Sequence, residues 1–155
     1  MQSASMTEPE IGPSKLLFIC TGNYYRSRFA EILFNSLARE AELDWIAESR
    51  GIATERVVGP APISNDTVRG LEARGLGGAR DYRHPEQLRE RDLTSAQLVV
   101  AINEREHRWY LEERFPAWAS EIDYWRVNDV GLTPADVALN EIEALVRGLI
   151  ARLSG

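Results

Sequence analysis

The sequence predicts a single α/β domain built on a parallel sheet, and three observations support this fold class. Short, continuous apolar runs at residues 16–20 and 98–102 have the length and composition of strands buried on both faces. Amphipathic helical patterns follow them, and this alternation is typical of a parallel sheet with helices on both faces. The length of 155 residues suits one domain. We expect that domain over residues 15–155, after a flexible leader at residues 1–14.

The predicted elements follow one another in a regular order. They are a strand at 16–20, a helix from Ser27 to about Ala41, a strand at 45–47, a loop at 48–63, a short helix from Ser64 to about Arg74, an unassigned polar stretch at 77–91, a strand at 98–102, a helix from Asn103 to about Arg114, a strand within 121–127 and a helix to 153. Ser64, Asn103 and Thr133 are the predicted N-caps, with Pro134 at the first position of the last helix.

Composition and charge exclude several classes of function. With 18 Lys+Arg and 24 Asp+Glu the net charge is −6, which disfavours binding to nucleic acid or to an anionic membrane. No apolar run approaches the ~18 residues of a membrane span, and the leader lacks the features of a signal peptide, so we expect a cytoplasmic protein. One cysteine and two histidines provide neither a disulfide nor a metal motif, and we predict no metal and no cofactor.

The only cysteine lies at the carboxyl end of the first predicted strand, where α/β sheets bind their ligands. It begins a Cys-x5-Arg-Ser loop, from Cys20 to Ser27, between a strand and a helix. Such a loop can direct backbone N–H groups and a helix N-terminus at one anion, and Arg26 can bind phosphate oxygens bidentately. Gly22 permits the tight backbone. The alternative is a buried structural cysteine.

The segment from Leu17 to Ser27, with Ala30-Glu31 after it, resembles the phosphate loop of the low-molecular-weight protein tyrosine phosphatases. That family has V-C-x-G-N-x-C-R-S-P-x-A-E at this place. The segments 48–51, 98–104 and 127–130 resemble the family's D-S-A-G turn, its third strand and its V-x-D-P loop. The resemblance implies a four-stranded parallel sheet in the order 2-1-3-4.

The resemblance also implies a role for each residue of the motif. Cys20 would be the nucleophile, Arg26 the phosphate clamp and Asp129 the general acid, with Asp123 and Asp136 as rival acids. Asn23 would hold the shape of the loop, and Ser27 would assist departure of the thiolate. The predicted phosphate-binding residues are Thr21, Gly22, Asn23, Tyr24, Tyr25, Arg26 and Ser27.

This chain departs from the family's pattern at several positions. Tyr25 replaces the second loop cysteine, Arg28 replaces the following proline, and Val130 replaces the proline after the acid. A histidine that the family often carries before the third strand has no clear counterpart, although Arg80 and Arg83 lie nearby.

Other polar and aromatic residues receive weaker predictions. We predict His107 to be a packing residue and the Arg-rich stretch at 80–91 to be a solvated face of mixed charge. Aromatic substrates favour aromatic walls. Tyr24 is predicted at the rim of the cleft, Tyr25 is a further candidate wall, and Tyr124 and Trp125 are predicted to pack in the core.

The leading functional hypothesis is a phosphotyrosine-protein phosphatase that hydrolyses aryl phosphate monoesters and whose partner is a phosphotyrosine-containing protein. One alternative is an arsenate reductase that uses an external thiol, since this chain has no second cysteine. The other is a non-catalytic phosphate-binding module. The sequence determines neither the physiological substrate nor the oligomeric state.

Overall fold

A computed structural model describes residues 12–78 and 81–155 as one α/β domain. Its strands are β1 (Ser14–Cys20), β2 (Trp45–Gly51), β3 (Leu98–Ala101) and β4 (Asp123–Tyr124). Its α-helices are α1 (Arg26–Glu40), α2 (Asn65–Glu72), α3 (Glu90–Ser95), α4 (Glu104–Arg114) and α5 (Ala135–Ser154), and short 3-10 turns lie at Thr54–Arg56 and Ala119–Glu121.

The strands form one parallel sheet in the order β2-β1-β3-β4, which confirms the predicted fold class and strand order. β1 is central, and its last residue, Cys20, pairs with Gly51 of β2. Ile19, one residue earlier, pairs with Ala101 of β3. The carboxyl ends of the three longer strands therefore meet around Cys20, which is the place where open α/β sheets bind ligands.

Both faces of β1 are buried, because its side chains alternate between two hydrophobic clusters. Phe18 points to the cluster that α1 and α5 cover, where it meets Phe34 with ring centroids 6.3 Å apart. Leu17 and Ile19 point to the other cluster, which includes Leu111 of α4. Each such side chain contributes about 1.5–3 kcal/mol on burial, so the strand that carries Cys20 is firmly anchored.

Two of the predicted helix caps are confirmed and one is wrong. The side chains of Ser64 and Asn103 accept hydrogen bonds from backbone N–H groups at the starts of α2 and α4, at 3.1 and 2.9 Å. The N-cap of α5 is Pro134 rather than Thr133, because the Pro134 carbonyl accepts the first helical bond, from Ala138. The Thr133 N–H instead closes a turn onto the Asp129 carbonyl.

Three elements differ from their predicted extent. β2 continues to Gly51 through a segment predicted as a loop, because the whole of it pairs with β1. α3 was not predicted: it begins at the end of the unassigned stretch 77–91 and continues to Ser95, and its six residues are too few for a helical period to be recognised. β4 is only two residues long. Residues 1–11 of the predicted leader, and Arg80, lie outside the described residues.

No helix in the described ranges is long and apolar enough to cross a membrane.

Candidate active site

The loop that joins β1 to α1 is tightly wound and closely packed. Asn23, at its middle, has a φ of 55°, in the left-handed region that non-glycine residues rarely adopt. Gly51 packs against it so closely that a Cβ there would lie 2.8 Å from the Gly22 carbonyl carbon and 2.9 Å from the Asn23 nitrogen. A side chain at residue 51 would therefore displace the loop.

The carbonyl groups of the loop accept hydrogen bonds from neighbouring segments, whereas its N–H groups have no acceptor among the described residues. Backbone N–H groups of residues 52, 53 and 64 donate to the carbonyls of Cys20, Thr21 and Tyr24 at 2.8–2.9 Å. Within the described part of the chain, the N–H groups of residues 21–26 donate to no acceptor. Successive unpaired N–H groups at a helix N-terminus form a binding site for an anion.

Cys20 and Ser27 are in contact beneath this loop. The Cys20 Sγ lies 2.8 Å from the Ser27 Oγ, and both residues are almost completely buried. The same Ser27 oxygen accepts a hydrogen bond from the Asn23 Nδ2 at 2.9 Å. Since that contact uses a lone pair, the Ser27 hydroxyl hydrogen is left for the sulfur.

Asn23 makes hydrogen bonds with every polar atom of its side chain. Its Nδ2 donates to the Oγ of Ser27 and of Ser49, each at 2.9 Å. Its Oδ1 accepts from the Arg83 Nη1 at 2.9 Å and from the Glu86 N–H at 3.0 Å. Arg83 also donates to Ser49 and pairs with Glu31. The prediction of a solvated face at 80–91 is therefore wrong for Arg83, because its guanidinium binds Asn23, Ser49 and Glu31.

Arg28, which stands where the family has proline, is buried and binds three carbonyls from three segments. It donates to the carbonyls of Asn23, Pro62 and Arg83 at 3.2, 3.0 and 2.6 Å. Burial, aided by the nearby charge of Arg83, lowers the pKa of Arg28 to about 10. Its hydrogen bonds connect the loop between β1 and α1 to the two loops beside it.

Arg26, the first residue of α1, is held at the pocket wall by Glu106. Its Nη1 lies 3.1 Å from Glu106 Oε1 and its Nη2 lies 2.8 Å from Glu106 Oε2, while Nη1 also donates to the Val127 carbonyl at 3.0 Å. Burial, the largest single effect, would lower the pKa of Arg26, but the hydrogen bonds with Glu106 and the nearby acidic groups together raise that pKa. The guanidinium is therefore charged at any working pH.

Sequence reasoning missed Glu106 as a site residue and assigned His107 to packing. His107 is fully buried, but its Nδ1 accepts from the Asn103 N–H at 3.1 Å, and its Nε2 lies 3.0 Å from the Thr21 Oγ1. The Thr21 hydroxyl donates in turn to Glu106. Burial would raise the pKa of Glu106, yet the hydrogen bonds from His107 and Arg26 hold that pKa well below its usual range.

Asp129 lies on the loop between β4 and α5, at the mouth of the same pocket. Its Oδ2 is 3.9 Å from the Arg26 Nη2, and its side chain is half-exposed. Asn103 fixes the start of this loop by donating to the Val127 carbonyl and to the Asn128 side chain, at 3.0 and 3.1 Å. Of the rival acids, Asp123 is exposed on β4 and Asp136 lines a separate groove between α2 and α5.

These groups surround a pocket of about 520 Å³. Its lining residues are Cys20, Thr21, Gly22, Tyr24, Tyr25, Arg26, Arg56, Val57, Val58, Glu106, Tyr110 and Asp129. Asn23 and Ser27, the other two predicted phosphate-binding residues, are fully buried behind the loop.

The aromatic residues divide between the pocket and the core. Tyr24 lines the pocket, as predicted. Tyr25 is mostly buried, its hydroxyl has no hydrogen-bond partner in the described ranges, and burial raises its pKa to about 12. Trp125 packs on Phe18 with ring centroids 5.5 Å apart, and the Tyr124 hydroxyl donates to the Ala119 carbonyl at 2.7 Å. Both are packing residues, as predicted.

Several solved structures share this fold. A low molecular weight protein tyrosine phosphatase from T. tengcongensis is 29% identical, with a TM-score of 0.72 over 90% of this chain and 99% of that chain. The YwlE arginine phosphatase from Geobacillus stearothermophilus is 23% identical, with a TM-score of 0.71 over 91% and 93%. SP-PTP from Streptococcus pyogenes, a low molecular weight protein tyrosine phosphatase, is 21% identical, with a TM-score of 0.75 over 90% and 93%. No curated protein matches the chain.

A loop that runs from a cysteine to an arginine at the carboxyl end of a central parallel strand, with unpaired N–H groups between them in the described residues, is the arrangement of a cysteine-dependent phosphatase of the α/β class. The family model of the low molecular weight phosphotyrosine protein phosphatases matches residues 15–129, and the chain belongs to that family.

Proposed function

We propose that this phosphatase hydrolyses phosphotyrosine in proteins through a cysteinyl-phosphate intermediate, with Cys20 as nucleophile. The observation that carries the proposal is the loop itself: the six residues that follow Cys20 have backbone N–H groups without an acceptor among the described residues. Three phosphoryl oxygens require several donors, and this loop offers them together with the buried charge of Arg26.

In the first half of the reaction, the Cys20 sulfur attacks phosphorus in line with the bond to the leaving oxygen. The sulfur–phosphorus bond forms as the phosphorus–oxygen bond breaks, and the leaving phenolate takes a proton from Asp129. A phenol has a pKa of about 10, so its anion leaves poorly unless an acid protonates it. Asp129 lies at the mouth of the pocket, on the side where the leaving group would stand.

In the second half, water attacks the cysteinyl-phosphate from the position that the phenol has vacated. Asp129, now ionised, accepts a proton from the water as the new phosphorus–oxygen bond forms. The phosphorus–sulfur bond breaks and the electron pair returns to Cys20. The Ser27 hydroxyl, 2.8 Å from the sulfur, stabilises the departing thiolate by a hydrogen bond.

A tyrosine side chain fits the dimensions and chemistry of the pocket. Cys20 and Arg26 are buried in its lining, while Tyr24 and Val57 provide aromatic and aliphatic walls for a flat ring. YwlE, an arginine phosphatase, shares the fold. Phosphotyrosine must therefore be compared with phosphoarginine as the substrate.

The deciding experiment compares matched peptides carrying phosphotyrosine, phosphoserine or phosphoarginine, with release of inorganic phosphate as the measurement. We expect the phosphotyrosine peptide to give the highest kcat/KM. Faster release from phosphoarginine would refute the substrate assignment but leave the phosphatase intact. If arsenate is reduced with an added thiol while no phosphopeptide is hydrolysed, the chain acts as an arsenate reductase. Phosphate binding without turnover of any substrate would indicate a binding module.

The acid role of Asp129 is tested by a series of aryl phosphates with leaving groups of different pKa. Asp129→Ala should reduce kcat by about 10²–10⁴ for a phenol-like leaving group, and less for a leaving group of low pKa that needs no proton. Asp136→Ala, at an exposed acid outside the pocket, is the matched control. If Asp123→Ala shows the dependence on leaving group and Asp129→Ala does not, the assignment is wrong.

A further inference from the structure

Glu106 brings a second carboxylate into a pocket built to bind an anion. It lies in the first turn of α4 and is about one-third exposed. Its two oxygens contact the two terminal nitrogens of Arg26, so the pair is bidentate. A carboxylate so close to the proposed phosphate site either competes with phosphate for the arginine or holds the arginine for it.

The hydrogens of the Arg26 guanidinium distinguish these alternatives. A guanidinium has five N–H donors in a fixed plane. Nη1 uses both of its hydrogens, on Glu106 and on the Val127 carbonyl, and Nη2 uses one, on Glu106. The Nε–H is buried and has no hydrogen-bond partner among the described residues. The unused donors are therefore Nε and the second hydrogen of Nη2, which lie along one edge of the plane.

Glu106 is itself held in place from behind. The Thr21 hydroxyl donates to its Oε2, and the His107 Nε2 lies 3.2 Å from the same oxygen. The His107 ring is oriented in turn by the hydrogen bond from the Asn103 N–H to its Nδ1, which leaves the ring hydrogen on Nε2. This series of contacts runs from the N-cap of α4 to the second residue of the phosphate loop.

We propose that Glu106 is a positioning residue, which holds Arg26 by its two terminal nitrogens and thereby directs the Nε–Nη2 edge of the guanidinium at the substrate phosphate. The proposal rests on the function proposed above, in which Arg26 binds that phosphate. An unrestrained arginine side chain loses rotamer freedom whenever it binds, and fixing it beforehand removes that cost from the reaction. The charge of Glu106 is already neutralised by Arg26, while the N–H groups of the loop remain free for the phosphate.

The variants Glu106→Gln and Glu106→Asp test the proposal in the full chain. Two quantities are measured: the affinity for inorganic phosphate, from competitive inhibition, and kcat with KM for para-nitrophenyl phosphate between pH 5 and 8. We expect Glu106→Gln to weaken phosphate binding by about tenfold and to reduce kcat by up to about 100-fold, which is the loss that a misplaced catalytic group produces. Glu106→Asp, which keeps the negative charge, should recover part of the phosphate affinity and part of kcat.

The matched control is Glu104→Gln. Glu104 lies on the same helix and pairs with Arg108 at 2.9 Å and Arg126 at 3.3 Å, with no contact to Arg26. It should change neither quantity by more than about twofold, as is usual for an exposed ion pair. If Glu106→Gln tightens phosphate binding, Glu106 competes with phosphate and the proposal is refuted. If Glu106→Gln behaves like the control, the contact has no function and the proposal is also refuted.

A measurement on the unaltered protein avoids dependence on folding of the variants. In the NMR spectrum, the Nε–H signal of Arg26 should shift strongly when inorganic phosphate is added, because that hydrogen gains its first partner. An unmoved Nε–H in a protein that binds phosphate would overturn the role of Glu106 but leave the proposed function standing. A wild-type protein that neither binds phosphate nor hydrolyses any phosphomonoester would overturn both.

Discussion

Protonation of His107 should destabilise the protein in mildly acidic solution. The ring is fully buried, and its Nδ1 accepts a hydrogen bond from the Asn103 N–H. A second ring proton would lie on Nδ1 and point at the Asn103 N–H, so two donors would face each other. Burial lowers the pKa of His107 and outweighs the opposing effect of Glu106. The unfolded chain therefore takes up a proton more readily than the folded protein does. The contribution of the neutral His107 to the free energy of unfolding is thus complete above about pH 6.5, the ordinary pKa of histidine, and declines below that pH.

The size of the effect follows from proton linkage. One proton gives a slope of at most about 1.4 kcal/mol per pH unit, so the loss between pH 6.5 and pH 5.0 is at most about 2 kcal/mol. The lowered pKa of Glu106 acts in a different window. A carboxylate of lowered pKa stabilises the fold above the unfolded value of about 4.3, and this stability is lost only as the pH falls below that value. The range from 6.5 to 5.0 therefore isolates the histidine.

Urea unfolding at pH 7.5, 6.5, 5.5 and 5.0 measures this slope. His107→Asn retains an acceptor near the position of Nδ1 but cannot be charged, so it should be less stable at pH 7.5 and yet show little change down to pH 5.0. His84→Asn, at the exposed second histidine, should keep the wild-type slope. A flat wild-type profile, or a His107→Asn variant with an undiminished slope, would refute the assignment of a buried neutral imidazole.

Three further predictions concern the loop. Cys20→Ser should abolish turnover of aryl phosphates yet still bind vanadate, because the N–H groups and Arg26 remain; clear hydrolysis by the pure variant would contradict the nucleophile assignment. Because Cys20 is the only cysteine, prolonged exposure to peroxide should oxidise it to a sulfinic acid that dithiothreitol cannot reduce. Bound phosphate should protect the activity, and Tyr25→Cys should recover more of it with dithiothreitol. Mass spectrometry that never detects the sulfinic acid would argue against this prediction. Arg28→Met removes three hydrogen bonds and should lower the free energy of unfolding by about 2–4 kcal/mol, with a lower kcat; unchanged urea denaturation would show that the contacts are dispensable.

The sequence predicted those parts of the molecule that depend on neighbouring residues. The loop from Cys20 to Ser27 is eight consecutive residues, and its place after a buried strand fixes its position at the carboxyl edge of the sheet. The order of the strands followed from the family resemblance. Asp129 was also placed by the family resemblance, through the likeness of residues 127–130 to the family's V-x-D-P loop.

The sequence did not predict contacts between distant segments. Glu106 is 80 residues from Arg26, and its effect on the arginine depends on how α4 is set against the loop, which no local pattern encodes. A helix cap was the only local signal around it, and this signal explains its backbone N–H but not its carboxylate. His107 was assigned to packing because a histidine on an apolar helix face gives no indication of what its ring nitrogens contact. Arg83 lies in a segment of mixed charge, where composition predicts solvation.

Two of the residues that depart from the family pattern, Arg28 and Arg83, both bind Asn23. Asn23 must stay in a left-handed conformation for the loop to close around an anion, and it must be held there by its neighbours because the backbone does not favour it. Arg83 binds its side-chain oxygen, and Arg28 binds its main-chain oxygen, at 2.9 and 3.2 Å. The family has a proline at the position of Arg28, and Arg83 lies near the place where it often has a histidine. Two long, charged side chains thus hold the Asn23 conformation by direct hydrogen bonds. The cation of Arg28, buried behind the loop, also adds positive potential to the site that binds the phosphate.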